Sequence, residues 1–169
     1  MRRLAPVLVL LALVAGCSDG DDGTATTART TTDFVAPPLV PTPNETPKRA
    51  YERRMQAIVL ELQRDLDSAT YRATASTTDA AFVAVLRSLA NEIEKNADAI
   101  DAVRPPPDVA APHRRYARGM HELSEQVRGE AARIQPGRAA EIDLSTLPAN
   151  RVLVAAAEAL ARKGYDFER

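Results

Sequence analysis

The 169-residue chain predicts an all-α fold, an up-and-down antiparallel four-helix bundle over residues 48–164. Three observations carry that expectation. Apolar residues recur at three- and four-residue steps through four segments, the spacing that gathers them on one helix face. Prolines and glycines interrupt the pattern after the second, third and fourth segments, and Ser76-Thr77-Thr78 separates the first from the second. No run alternates with period two for long enough to form a strand.

The first helix is expected over about 48–73, with Tyr51, Met55, Ile58, Val59, Leu62 and Leu66 as its stripe. The second, about 78–103, carries Phe82, Val85, Leu86, Leu89, Ile93, Ile100 and Val103, with Ala97 filling the gap. Ser76, Thr77 and Thr78 offer side-chain oxygens to its first unpaired N–H groups, and Asp79 suits the positive end of the helix dipole. Pro105-Pro106-Pro107 cannot continue a helix and breaks the chain there. The third helix, about 109–135, starts at Asp108 or just after it and tolerates Pro112 in its first turn. Its stripe is Tyr116, Met120, Leu123, Val127 and Ile134, with Ala131 between the last two, and Pro136-Gly137 ends it. The fourth, about 147–163, is short and alanine-rich, with Val152, Ala156, Ala159 and Leu160. Ser145 or Thr146 is expected to cap it, Pro148 suits its first turn, and Gly164 is placed to stop it. Residues 165–169 are left as a tail. Three helices of about 25 residues would each run about 38 Å. Short connections between them favour antiparallel neighbours. With no Trp in the chain, the packing falls to aliphatic residues and alanine, which bury less area per residue.

Upstream of the bundle the chain changes character. Arg2 and Arg3 precede Leu4–Ala15, an uncharged stretch of twelve residues. A spanning helix needs about 20 apolar residues, so this stretch fits a signal segment rather than a permanent span. It closes on Val14-Ala15-Gly16-Cys17, which resembles the lipobox of bacterial lipoprotein precursors. The resemblance covers residues 1–17. It implies cleavage between Gly16 and Cys17, acylation of Cys17, and a mature chain held on the extracytoplasmic face of a bacterial membrane. One acyl chain, at about 0.8 kcal/mol per buried methylene, holds only marginally, whereas two or three hold firmly. Cys17 is the only cysteine, so an exported form has no internal disulfide. Residues 17–47, rich in Thr, Pro, Asp and Gly, have too little apolar surface to repay the entropy of ordering and read as a disordered linker. Thirty residues of such chain span about 30 Å, enough to lift a folded body off a membrane.

Charge excludes one class of partner. With Arg2 and Arg3 removed, 20 basic residues face 23 acidic ones, a net charge of −3. A nucleic-acid binder carries a basic excess and stacking aromatics, and both are missing. The candidates for chemistry are few. His113 and His121, eight residues apart on one expected helix, are separated by about 12 Å along its axis, too far to hold one ion together. His121-Glu122-Leu123-Ser124-Glu125 echoes a zinc-protease motif with Glu125 in place of the second histidine, leaving His121 and Glu125 as two ligands at an i, i+4 spacing. Met55 or Met120 with a histidine is the corresponding haem arrangement, although methionine on an apolar stripe is ordinarily core. No Gly-x-Ser-x-Gly elbow and no phosphate-cradling glycine loop occurs, so no catalytic residue and no cofactor is expected.

Arg114, Arg115 and Arg118 open the third helix opposite Glu94, Asp98 and Asp101 of the second. They form either an anion-binding patch or a salt-bridge ladder pairing Asp98 with Arg114 and Glu94 with Arg118. The ladder is the expected reading, because each charge lies at the wrong helix end for the dipole and a cross-helix partner offsets that cost. Together these features predict a lipid-anchored binding or scaffolding module at the bacterial cell envelope, with an envelope protein or wall component as partner. The alternatives are a small-ligand carrier with a pocket in the bundle, or a metal or haem protein using His121 or His113.

Overall fold

The computed structural model describes residues 45–135, 144–165 and 167, and four helices make up most of them. They are α1 (Pro47–Ala75), α2 (Asp79–Asp101), α3 (Ala110–Arg133) and α4 (Pro148–Ala161), with short 3₁₀ turns at Pro107–Val109 and Leu144–Thr146. No strand occurs among the described residues. The helices pack in chain order, α1 on α2, α2 on α3 and α3 on α4. The expected signal segment, Cys17, most of the expected linker and the expected stop at Pro136-Gly137 lie outside the described residues.

Local chemistry fixes the helix ends. Thr46 caps α1, its Oγ1 accepting from Arg49 N, and Pro47 occupies the first turn. Thr78, the last of the three expected caps, accepts from Ala81 N at 3.1 Å, and Asp79 sits in the first turn of α2. The Pro107–Val109 turn leads into α3, where Pro112 lies in the first turn and loses no helical hydrogen bond. At the far end of α4, Gly164 takes φ 76°, while Tyr165 N donates to Leu160 O and Gly164 N to Ala161 O. This pair of bonds is a Schellman stop, which needs a residue comfortable at positive φ.

The expected stripes form the core: Tyr51, Met55, Leu86, Leu89, Ile93, Ala97, Ile100, Met120, Leu123, Val127 and Leu160 are all buried. Met55 and Met120 are each enclosed by apolar neighbours in that core, the ordinary place for methionine. α3 and α4 approach closely at Gly119, where a Cβ would stand 3.0 Å from Leu153 Cδ2.

Two expectations are corrected. Ser145 and Thr146 do not cap α4: its N-cap position is Leu147, and the first-turn N–H of Ala149 is taken by Gln126 Oε1 of α3 at 3.1 Å. A cap reaching from another helix leaves no local signature in the sequence. Residues 165–169 are not merely a tail, because Tyr165 is buried and Phe167 packs against the core. The Schellman turn directs the residue after Gly164 back onto the bundle, which brings Tyr165 onto Tyr51.

Candidate functional site

α3 carries two polar sites, one at each histidine. The first is an aromatic knot. Tyr51 of α1 meets the His113 ring edge-on at 5.6 Å, the Tyr165 ring at 5.5 Å and the Phe167 ring at 5.7 Å. Its hydroxyl lies 3.1 Å from His113 Nδ1. Burial drives the His113 pKa below that of a free histidine, against the opposing pull of the Asp101 charge and of the nearby Ile100 and Val103 backbone. With the ring neutral, Tyr51 is the donor to Nδ1 when the ring proton sits on Nε2. Burial likewise pushes the Tyr51 phenol well above its usual range, which keeps it a donor. Tyr165 closes the knot by donating to both Asp108 oxygens, at 3.0 and 3.1 Å.

The second site faces α2 and is built of charges. His121 Nδ1 lies 3.0 Å from Glu94 Oε1, and Nε2 lies 3.0 Å from Asp101 Oδ2. A ring with a carboxylate at each nitrogen is held as the imidazolium, donating in both directions. The hydrogen bond to Asp101 is the chief reason its pKa is raised; partial burial opposes it and Glu94 adds to it. Burial works to raise the Glu94 pKa, but the His121 bond, the Ser124 hydroxyl beside it and the charges of His121 and Arg128 outweigh that and lower it. Ser124 gives its proton to Ala90 O at 2.8 Å, joining α3 to α2 directly below. Glu94 Oε2 is shielded from solvent and accepts no hydrogen bond. Asp98, one turn on from Glu94, completes the cluster: one ligand atom from each of Glu94, Asp98 and His121 lies within 4.8 Å of the others.

This arrangement differs from the expected ladder. Arg114, Arg115 and Arg118 are exposed on α3, and among the ion pairs of the described residues none joins them to Asp98 or Glu94. Pairing Asp98 with Arg114 and Glu94 with Arg118 requires a turn centred on Pro106. The Pro107–Val109 turn shifts the register, so that α2 meets α3 at Ala90–Ser124 and Glu94–His121. Histidine thereby takes the place assigned to arginine. Glu125 is no partner of His121 either: it is exposed and lies 4.0 Å from Arg128, one turn along α3. The ligands facing His121 come from α2, a pairing that only the packing of two helices reveals.

A third feature is a groove of about 940 Å³. Val59, Tyr116, Ala157 and Ala161 are among its apolar lining residues, and Lys48, Glu52 and Arg53 among its charged ones. Arg53 is tied to Glu45 at 2.6 Å, and Lys48 stands 5.0 Å over the Tyr165 ring. Comparison of the chain with protein-family models, with curated proteins and with solved structures found no match.

Proposed function

We propose that the chain is a lipid-anchored module on the extracytoplasmic face of a bacterial membrane, with a binding or scaffolding role rather than a catalytic one. Its partner is an envelope protein or a wall component. The observation that carries this reading is Val14-Ala15-Gly16-Cys17 behind a twelve-residue apolar stretch too short to span a bilayer. Two further facts are in keeping with it. No helix of the described residues is long and apolar enough to cross a membrane. The described residues begin at Glu45, well downstream of Cys17 in the sequence.

The bundle itself we read as up-and-down and antiparallel. Short connections link α1 to α2 and α2 to α3, and the helices pack in chain order. The start of α1, the start of α3 and the residues after α4 all meet in the Tyr51–His113–Tyr165 knot, which an alternating order requires. Spin labels at exposed Arg54 and Lys163 should then be close, and labels at Thr74 and Lys163 far apart.

The anchor is tested by detergent phase partition. The wild-type protein should enter the detergent phase and resist salt extraction from membranes, and Cys17→Ser should abolish lipidation. Recovery of wild-type protein in the aqueous phase with a free thiol would overturn the reading. The groove favours a second role, carriage of a small amphipathic ligand, because its volume falls within the range of about 300–1,000 Å³ usual for such sites. Mass spectrometry of organic extracts from the purified protein distinguishes a carrier from a scaffold.

A further inference from the structure

We propose that Glu94, Asp98 and His121 form a binding site for a divalent first-row cation, Zn²⁺ by preference, with Asp101 as the outer carboxylate that orients the histidine. The site stands apart from the lipid anchor and does not depend on it.

The donor set is one imidazole nitrogen and two carboxylates from two helices, with ligand atoms within 4.8 Å of one another. Three protein ligands with water at the fourth position is a common zinc arrangement, and mixed nitrogen and oxygen donors suit that ion. A metal-bound histidine usually donates its other ring N–H to a carboxylate, and Nε2 already makes that contact with Asp101 at 3.0 Å. The metal would therefore take Nδ1, on the Glu94 side of the ring, where Glu94 Oε1 lies 3.0 Å away. A separate observation points the same way. Glu94 Oε2 itself is shielded from water and accepts no hydrogen bond, although the side chain as a whole is 38 % exposed, and a cation would give that oxygen a partner.

The charges also balance better with a metal. Three carboxylates around one imidazolium leave a local charge of −2, and Arg128 is the nearby cation that acts on Glu94. Exchanging the Nδ1 proton for a divalent ion brings the four groups to −1. The proton leaves for solvent, no bond to carbon changes and no redox step is involved. Proton and metal compete for the same nitrogen, so binding weakens as pH falls. The helices need not move, because Glu94 and Asp98 lie one turn apart on α2 and His121 already faces them from α3.

The test is calorimetric titration of Zn²⁺ into the whole chain carrying Cys17→Ser, so that no thiol competes for the ion. One equivalent should bind with release of protons, read from the dependence of the heat on buffer ionisation. His121→Ala and Asp98→Asn should each weaken binding at least tenfold. Asp101→Asn should weaken it about tenfold through the ring orientation alone. Arg118→Ala should leave it unchanged. Asp98 is exposed, so Asp98→Asn keeps the fold and isolates the ligand effect, with helicity by circular dichroism as the check. No binding at micromolar Zn²⁺, or binding that both His121→Ala and Asp98→Asn leave intact, would overturn the site and leave the cluster an ion pair between helices.

Discussion

His113 and His121 are the same residue eight positions apart on the same helix, and the structure puts them to opposite uses. His113 is buried among aromatic rings and is kept neutral, because charging it would cost desolvation that its surroundings do not repay. His121 is about one-third exposed between two carboxylates and is kept charged, because each ring N–H has an anion to meet. The first holds α1 and the residues after α4 against α3. The second joins α3 to α2 and carries the one mixed histidine–carboxylate cluster found among the described residues. Neighbouring groups, rather than position along α3, decide the protonation state and hence the role.

The contrast predicts unequal costs. Tyr51→Ala empties the centre of the knot and should destabilise the protein by about 3–5 kcal/mol in urea denaturation, the usual range for deleting a buried aromatic. A loss below about 1 kcal/mol would mean that the knot contributes little packing. Tyr51→Phe keeps the ring and removes only the hydroxyl, stranding His113 Nδ1. It should cost about 1–3 kcal/mol, the penalty for a buried acceptor left unpaired.

Stability should also respond to pH in opposite senses at the two sites. The raised pKa of His121 means that its contribution is present below about 6.5, the unfolded value, and is lost as pH rises through the folded value. The lowered pKa of His113 reverses this: its contribution is present above about 6.5 and is lost as pH falls through the folded value. Urea midpoints measured from about pH 5 to 8 should fall less on the alkaline side in His121→Ala than in wild type. The smallest effect is that of His121→Ala at a fixed pH of about 6, where an exposed ion cluster should be worth about 0.2–1 kcal/mol and should shrink with added salt. A larger, salt-insensitive loss would place His121 with the core residues.

The sequence made the helices legible because their cause is local. The stripes at Met55, Leu89, Ile93, Met120 and Val127 report which face is buried, and Pro105–Pro107 and Gly164 report where helices stop. The sites were less legible because their cause is distant. Nothing near Leu147 indicates that Gln126 will satisfy the N-terminus of α4, and nothing near His121 indicates that Glu94 and Asp101 will face it. A register assumed from Pro106 put arginines there, and the Pro107–Val109 turn was enough to replace them with histidine. Tyr165 looked like tail because only its packing on Tyr51 makes it core. The resemblance of Val14-Ala15-Gly16-Cys17 to a lipobox, in contrast, rests on composition and order alone.

The measurement that bears most directly on this account is a titration of both histidine rings by nuclear magnetic resonance in the folded protein. The His121 signals should move with an apparent pKa above the ordinary value of about 6.5, and those of His113 below it. Two coincident titrations near that ordinary value, or the reverse order, would contradict the claim that the knot and the clamp set opposite charge states on one helix.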